Sequence, residues 1–309
     1  MDHAMSMPRP IVFGEALYDV FDGESEVLGG APFNVAWHLQ GFGREPRFVG
    51  ARGDDERGRR IDSTMDEWGM DTVGLQVDPG HGTGVVHARV DGHDVEYDIV
   101  EDVAYDHVDA EAALAAVDEL EPACLVHGTL ALRADESRRA FRRIRESTSV
   151  PVFCDVNLRP PHTPLERARE AVEHATWVKL NADELNQLAG TTARDRGALL
   201  AAAERLLRDN DLQRLVVTLG ADGALAVDAT AGAASVEGAT VENFVDPVGA
   251  GDAFASVTLI GLLDDWPVEV ALRRANEFAA VVCERQGATL PDRADYARVR
   301  ASWESDDVR

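Results

Sequence analysis

The sequence predicts an α/β fold in which helices cover both faces of a mostly parallel central sheet, with a small β-strand lid. Short, continuous apolar runs alternate with amphipathic segments over most of the chain, which is typical of a parallel sheet buried on both faces. Polar residues and glycines follow several of these runs, at the strand ends where ligands bind in this architecture. A pair of extended runs interrupts the alternation. We expect one domain over residues 1–309, with lid strands inserted at about 16–30 and 83–106.

The first elements are a strand and a glycine-led helix. Residues 11–14 form a short apolar run, and a Gly-Gly pair then precedes Asn34, which can cap a helix ending near residues 41–43. Paired glycines before a helix bring backbone close to a small ligand, although an ordinary strand-to-helix loop would look the same. Residues 47–50 predict the next strand, and residues 56–68 a helix.

A hairpin follows. Two extended runs at residues 83–90 and 95–100 flank an Asp-Gly turn, the strongest short hairpin signal, and we expect them to form part of the lid. Three of its side chains could contact a ligand, or serve only a packed or solvated role: His87, Arg89 and His93.

The second half alternates regularly between helices and strands. Helices are predicted at about residues 109–120, 135–146, 164–175, 194–209 and 268–286. Strands are predicted at 123–127, 150–155, 177–180 and 215–219.

The charge is the most unusual property of the composition. The chain has 309 residues with 56 Asp and Glu against 30 Lys and Arg, a formal charge of −26, and Lys179 is its one lysine. Such a surface repels nucleic acid. Because the Debye length shrinks to ~3 Å in molar salt, we expect a halophilic protein, the alternative being an acidic protein of ordinary salt.

The remaining composition predicts a soluble cytoplasmic protein. No apolar run approaches the ~20 residues of a membrane span, and the first ten residues lack the apolar core of a signal peptide. Cys124, Cys154 and Cys283 are odd in number and fit no metal-ligand pattern, which suits a reducing compartment. We therefore expect no membrane and no nucleic-acid partner.

The chain is organised around residues 243–254. A strand-like run ends at Asp246-Pro247, a Gly-Ala-Gly turn follows, and Asp252 opens an apolar helix to about residue 263. The free N–H groups and dipole of a helix start form an anion site. Asp252 could take a proton from a hydroxyl while those groups hold a phosphoryl group, or it could be only a favourable first-turn acid.

Several phosphate-handling classes are excluded. A P-loop requires Gly-Lys-Ser/Thr, but Lys179 lies between Val178 and Leu180. The Asp-Phe-Gly and His-Arg-Asp motifs of protein kinases and the Gly-x-Gly-x-x-Gly of dinucleotide enzymes are absent. One carboxylate with a glycine anion hole still suits phosphoryl transfer, which needs mainly positioning and charge stabilisation.

These residues resemble the PfkB, or ribokinase-like, sugar kinases. Residues 246–252 (Asp-Pro-Val-Gly-Ala-Gly-Asp) look like the C-terminal signature of that family, and Gly29, Gly30 and Asn34 look like its N-terminal signature. A Thr-Leu-Gly-x-x-Gly turn at 218–223 extends the resemblance to nearly the whole chain. It implies a ribokinase-like fold and an ATP-dependent carbohydrate kinase.

The resemblance also implies roles for individual residues. Asp252 would be the catalytic base, with the amides of Gly249, Ala250 and Gly251 as its anion hole. Substrate-binding positions would be Asp19, Gly29, Gly30, Asn34 and Arg159. Nucleotide-binding positions would be Lys179, Asn181, Glu184, Thr218, Gly220, Gly223 and Asn276.

Two of these positions have alternatives. Strand alternation puts Lys179 on the same side as Asn181, facing nucleotide phosphates, unless it forms a buried ion pair. Arg159 could contact a sugar hydroxyl, a carboxylate or a phosphate, or form a loop salt bridge with Asp155.

Metals follow from the same resemblance. Glu184 would organise Mg²⁺ through water, and relatives bind a monovalent cation through carbonyls near Asp246 and Val248, which implies a K⁺ site. Pro247 stands where a threonine is common, but it keeps its carbonyl.

The substrate is expected to be a sugar, and the Gly-Gly-Ala-Pro-Phe-Asn segment and Asp155-Val156-Asn157-Leu158-Arg159 look most like fructokinases. A 2-keto-3-deoxy-gluconate kinase is the alternative within the enzyme class, and a nucleoside kinase a more distant one. A non-catalytic sugar- or nucleotide-binding regulator could share the scaffold, but would be expected to lack Asp252. In relatives the lid strands often join two subunits, so a homodimer is plausible.

Overall fold

The structure, a computed structural model, describes residues 8–21, 25–91 and 94–306. Strands β1 to β13 of these residues are Arg9–Phe13, Leu17–Phe21, Ser25–Gly29, Arg47–Gly53, Leu75–Asp78, Gly84–Asp91, Asp94–Ile99, Pro122–His127, Val152–Asp155, Trp177–Asn181, Arg214–Thr218, Ala224–Asp228 and Gly232–Val236. Helices α1 to α10 are Ala31–Gly41, Glu56–Trp68, Ala110–Ala115, Asp135–Ser147, Leu165–Glu173, Ala182–Ala189, Arg196–Asp209, Ala250–Leu263, Val268–Cys283 and Arg293–Asp306.

A nine-stranded sheet forms the centre of the fold, in the order β13-β12-β11-β10-β9-β8-β1-β4-β5. The seven strands from β11 to β5 in that order pair in parallel, whereas β12 and β13 form an antiparallel edge. The prediction of a mostly parallel sheet is therefore confirmed. The antiparallel edge was not predicted.

Helices pack on both faces of this sheet, as expected. Alternation along β1 sends Val12 into a core with residues of α1, α8 and α9, while Ile11 and Phe13 pack with residues of α3 and α4. A third apolar cluster joins β9 to β12 with α5, α6 and α7. The interior of these seven strands and helices is apolar. Polar groups at the strand ends are therefore candidates for a site, because polar groups are costly to bury without partners.

A second sheet, which shares no strand pairing with the first, contains β3, β2, β6 and β7 in that order; we call it the lid sheet. Strands β6 and β7 form the hairpin expected at 83–100. His87 is exposed, while the side chain of Arg89 and all of His93 lie outside the part that the structure describes.

Several predicted boundaries are wrong. Helix α1 begins at Ala31, so Asn34 lies inside it and is not the cap. Pro32 suits an earlier start, because the first helical positions need no N–H donor. The strand expected before Asp246 is a loop, and the helix expected over 109–120 ends at Ala115. Strand β5 and helix α10 were not predicted.

Two further properties concern the described residues as a whole. None of their helices is both long and apolar enough to cross a lipid bilayer. The thiols of Cys124, Cys154 and Cys283 are free.

Candidate active site

A cavity of about 480 Å³ lies between the lid sheet and the carboxyl ends of the central strands. Lid residues close one side, and loops after β1, β8 and β9 and the start of α8 form the other. This is the position at which parallel α/β sheets bind ligands. Its lining residues include Glu15, Leu17, Asp19, Gly30, Asn34, Val86, Ile99, Thr129, Asn157, Arg159, Lys179, Val248, Gly249, Gly251 and Asp252.

Asp252 lies in the first turn of α8 and is fixed by a residue far away in the sequence. The side-chain amide Nδ2 of Asn34 donates to its Oδ2 at 2.8 Å. Its other oxygen, Oδ1, accepts no hydrogen bond from the described residues. Burial raises the pKa of Asp252, and the Asn34 hydrogen bond and the charges of Lys179 and Arg159 oppose that rise. The carboxylate is thus oriented, with one oxygen left for a ligand.

A glycine turn presents backbone N–H groups next to this carboxylate. Gly249 caps α8 with φ +80°, and a Cβ there would come within 2.3 Å of the Cα of Ala288. The N–H groups of Gly251 and Asp252 donate to no carbonyl of the described residues, whereas that of Ala250 donates to the Pro247 carbonyl over a long 3.3 Å. Together with the helix dipole, these free donors can hold an anion.

Lys179 and Asp155 form a buried ion pair in the same cavity. The Lys179 Nζ lies 2.9 and 3.0 Å from the two carboxylate oxygens of Asp155. Burial lowers the pKa of Lys179, but the Asp155 and Asp252 carboxylates outweigh it, so the pKa is raised and the ammonium stays charged. A Cβ on Gly251 would lie 3.2 Å from Nζ, so this ammonium adjoins the glycine turn.

This ion pair decides between the alternatives for Lys179 and excludes one of those for Arg159. Lys179 forms the buried ion pair that was the alternative to a nucleotide role, and it lines this cavity, whereas Asn181 lines a different one. The salt bridge between Arg159 and Asp155 is not formed, because Asp155 pairs with Lys179. Within the described residues Arg159 forms no ion pair with a carboxylate. Its Nη1 donates to the Leu158 carbonyl at 3.0 Å, and the side chain lines the cavity.

Two buried acceptors in the cavity lack partners within the described residues. They are Oε2 of Glu15 and Oδ1 of Asn34. Burial raises the pKa of Glu15 to about 7 and that of Asp19 to about 6, with Arg159 opposing both shifts. An unsatisfied buried acceptor is costly, so a hydroxyl donor from a ligand would be favourable here.

Three polar lining residues were not among the predicted site residues: Glu15, Thr129 and Asn157. Each follows the end of a central strand by one to three positions, and that position was the available signal. Asn157 also has φ +40°, an uncommon value for a residue other than glycine.

A second cavity of about 470 Å³ lies beyond the ends of β10 and β11. Asn181, Thr218 and Gly220 line it, with Arg194 and Arg196 from the start of α7 and the turn before it. No strand of the lid sheet, as far as the structure describes it, contributes to its lining.

Four predicted nucleotide residues do not line that cavity, and one of them, Lys179, lines the first cavity instead. Gly223 shapes the turn after β11, since a Cβ there would collide with the carbonyl oxygen of Val236 at 2.2 Å. Asn276 is buried in α9, and its Nδ2 has no partner within the described chain. Glu184 is also buried, at 5% exposure.

The Asn-x-x-Glu motif is a reciprocal cap at the start of α6. The Asn181 side chain accepts from the Glu184 N–H at 2.9 Å, and Glu184 Oε2 accepts from the Asn181 N–H at 2.8 Å. Glu184 Oε1 accepts from the N–H of Leu158 at 2.8 Å. Both Glu184 oxygens accept from backbone N–H groups. Glu184 is therefore better suited to bind a cation through a water molecule than to coordinate it directly.

Asp246 fixes the loop before α8. Its Oδ1 accepts from the Val248 N–H at 3.0 Å and its Oδ2 from the Gly287 N–H at 3.1 Å. With the carboxylate engaged in this way, backbone carbonyls of the loop are the donors that fit a monovalent cation.

The fold and this site define a carbohydrate kinase that uses ATP, and comparisons with known proteins agree. The profile described as "pfkB family carbohydrate kinase" matches residues 20–295, and the chain belongs to this family. The chain is 30% identical to fructokinase-1 of Oryza sativa subsp. japonica, over 89% of this chain and 88% of that one. It is 28% identical to a 5-dehydro-2-deoxygluconokinase of Halalkalibacterium halodurans, over 86% and 82%.

Solved structures give the same result. A double-mutant fructokinase from Vibrio cholerae O395, solved with fructose, ADP and a potassium ion, superposes with a TM-score of 0.80 at 27% identity, covering 94% of this chain and 98% of that one. The fold is ribokinase-like, and the predicted family and ATP-dependent carbohydrate kinase class are confirmed.

Proposed function

We propose that this kinase phosphorylates fructose, with Asp252 as the base and the amides of Gly249, Ala250 and Gly251 as the anion hole. The observation that carries the proposal is the oriented Asp252 carboxylate beside the free N–H groups at the start of α8. A general base must lie within reach of the hydroxyl proton, and donors must face the developing charge.

The reaction follows from that arrangement. Oδ1 of Asp252 takes the proton of a sugar hydroxyl as its oxygen attacks the γ-phosphorus of ATP. The bond from that phosphorus to the β–γ bridging oxygen breaks, and ADP leaves with the bonding electrons. Amides of the glycine turn stabilise charge on the transferring group. Lys179, 2.9 Å from Asp155 and next to Gly251, supplies a fixed positive charge on the same side.

The sugar would bind at Asp19, Gly29, Gly30 and Asn34. Two buried oxygens without a partner in the described residues, Asn34 Oδ1 and Glu15 Oε2, support a ligand rich in hydroxyl donors. Gly30 supports a close backbone approach, because its φ is +108° and a Cβ would lie 2.4 Å from the Glu15 carbonyl oxygen.

The nucleotide would occupy the second cavity. Asn181, Thr218 and Gly220 line it, and we retain Gly223 and Asn276 as residues that shape its surroundings. Mg²⁺ would be organised through water by Glu184 and would neutralise charge on the phosphates. Carbonyls near Asp246 and Val248 would hold K⁺, as supported by the potassium-bound Vibrio fructokinase.

One observation favours a second candidate, a kinase of a keto-deoxy sugar acid such as 2-keto-3-deoxy-gluconate. Arg159 is a cation in the sugar cavity with no carboxylate partner in the described chain, and a substrate carboxylate would satisfy it. The 5-dehydro-2-deoxygluconokinase relative is consistent with such a substrate class. A non-catalytic regulator does not explain why Asp252 is present and oriented.

The deciding experiment measures ADP release with Mg·ATP in ~3 M KCl, where charge repulsion is screened. Fructose, 2-keto-3-deoxy-gluconate, ribose and adenosine are compared at equal concentrations. We expect turnover with fructose, and Arg159→Gln should lower it only in part, because it removes one of the two cations that favour the ionised form of Asp252. Turnover with the keto acid alone, lost in Arg159→Gln, would replace fructose by the sugar acid. ATP binding without turnover of any acceptor would contradict the kinase mechanism.

We also propose a homodimer through the lid sheets. The outer strand of the lid sheet, β3, carries Val27, which is 38% exposed. Its outer edge pairs with no other strand of the described residues, and such an edge with an exposed apolar residue favours pairing. Sedimentation equilibrium of the wild type should give twice the chain mass of 33.5 kDa. Val27→Glu should lower the measured mass to that of a single chain. A monomeric wild type would exclude this dimer.

A further inference from the structure

A cluster of metal-binding side chains lies outside both cavities. His81, Asp102 and His107 each offer one ligand atom, and these three atoms lie within 4.8 Å of one another. The Nε2 atoms of His81 and His107 lie 3.7 and 2.8 Å from the same oxygen, Oδ1 of Asp102. Among the described residues, this is the set of three such groups whose ligand atoms lie this close together.

Each imidazole is also held from its far side by a second carboxylate. Nδ1 of His81 lies 2.8 Å from Asp78 Oδ2, and Nδ1 of His107 lies 3.0 Å from Glu136 Oε2. Histidine ligands of metals characteristically pass their other ring nitrogen to a carboxylate, which fixes the tautomer and leaves the ligating nitrogen unprotonated. Both Nε2 atoms therefore lie beside Asp102 Oδ1, where a metal ion would take the place of the proton in the His107–Asp102 hydrogen bond.

The cluster lies at the base of the lid sheet. His81 precedes β6, while Asp102 and His107 follow β7, so the three residues come from the two segments that enter and leave the lid hairpin. A backbone hydrogen bond of 2.9 Å from the Ala104 N–H to the Gly82 carbonyl joins the same two segments. None of the three ligands lines the sugar cavity.

We propose that His81, Asp102 and His107 bind one divalent transition-metal ion of the Zn²⁺ class, which clips the base of the lid sheet. Two imidazoles and a carboxylate suit Zn²⁺, whereas Mg²⁺ prefers oxygen ligands, and water would complete a tetrahedral site. The two rings stack at 3.6 Å with planes 6° apart, so they must splay to converge on the ion. Asp102 can follow, because its side chain is 79% exposed.

The first test measures bound metal. The protein is freed of metal with a chelator, exchanged into the KCl buffer of the kinase assay with excess Mg²⁺ to occupy surface carboxylates, and titrated with Zn²⁺. We expect one tightly bound Zn²⁺ per chain in the wild type and in the control His174→Gln, an exposed histidine elsewhere. Binding should weaken at least tenfold in His81→Gln and His107→Gln. Equal binding in all four proteins, or no binding above that of Mg²⁺, would overturn the proposal.

The second test reads the geometry directly and protects against variants that misfold. Co²⁺ in a tetrahedral site with nitrogen and oxygen ligands absorbs visible light, whereas hexa-aqua Co²⁺ is nearly colourless. The wild type with one equivalent of Co²⁺ should develop this absorption and lose it when Zn²⁺ is added. Asp102→Asn, an exposed and conservative change, should reduce it. A wild-type spectrum identical to that of free Co²⁺ would exclude the site.

Discussion

At the residue scale, catalysis depends on how Asp252 is held. Asn34 lies 218 positions earlier in the chain and donates to one oxygen of Asp252, and Lys179 and Arg159 add positive charge nearby. Burial alone would favour the neutral acid. The hydrogen bond and the two cations favour the carboxylate form that a base requires.

Replacing Asp252 by Asn should lower turnover by roughly 10²–10⁴-fold, the usual contribution of a general base. Asparagine is nearly isosteric, and the amide donated by Asn34 can still bond to its carbonyl oxygen, so nucleotide binding should stay near normal. Steady-state turnover and ATP titration, measured on the same preparation, test both statements. Turnover close to that of the wild type would remove Asp252 from the mechanism.

Glu15 should make the stability of the free protein depend on pH. The unfolded carboxyl ionises near pH 4.5, whereas burial holds the folded pKa at about 7. The folded protein therefore binds more protons between these values, and this contribution to stability is lost as pH rises through 7. Arg159 and Asp252 face the same carboxyl and oppose each other.

Glu15→Gln should therefore flatten the fall of the thermal unfolding midpoint with rising pH. The midpoints of both proteins are measured from about pH 5 to 8 at constant KCl, and their difference isolates Glu15 from other titrating groups. Parallel curves for the two proteins would show that Glu15 ionises normally in the folded state.

At the element scale, the junction between the loop at Asp246 and helix α8 should tolerate little change. Asp246 bonds to Val248 and Gly287, and Gly249 packs its α-carbon against Ala288. The amides at the start of α8 are thus positioned by contacts with the loop after α9. Their position depends on backbone packing as much as on hydrogen bonds.

Gly249→Ala and Gly43→Ala form a matched pair for testing this. Both glycines have positive φ, +80° and +77°, but a Cβ at Gly43 meets nothing within 4 Å, whereas one at Gly249 overlaps Ala288. Gly43→Ala should cost about 1–2 kcal/mol of stability and leave turnover unchanged. Gly249→Ala should also lower turnover, on the order of 100-fold for a misplacement of about 1 Å. Equal turnover in both variants would show that the turn does not position the reacting groups.

At the scale of the whole molecule, charge dominates. A formal charge of −26 with 56 acidic residues repels itself in dilute buffer. We expect the protein to unfold or lose activity below about 0.5 M salt, because screening is then too weak. Circular dichroism and kinase activity across a KCl series test this, with sucrose at equal osmolarity as the control. Full stability in dilute buffer would contradict salt adaptation.

The sequence predicted the parallel sheet, the helices on its faces and the motif at Asp252, because these depend on local apolar periodicity and local turns. It mispredicted Asn34 as a helix cap. The partner of its side chain is Asp252, which is distant in the sequence, so local pattern could not identify it. That Asp155 pairs with Lys179 and not with Arg159 depends on which cation is nearer in space, which the sequence does not give. The edge strands β12 and β13 contain alanines and glycines, which give weak strand signals.

The difference between the two cavities bears on the order in which products depart. Leu17, Asp19, Val86 and Ile99 of the lid sheet cover the first cavity, and no described lid residue covers the second. On the proposed function, ADP can diffuse away while the lid stays shut, but the phosphorylated sugar cannot. Product inhibition should then show ordered kinetics, with the sugar phosphate released last and lid opening setting the pace of the cycle.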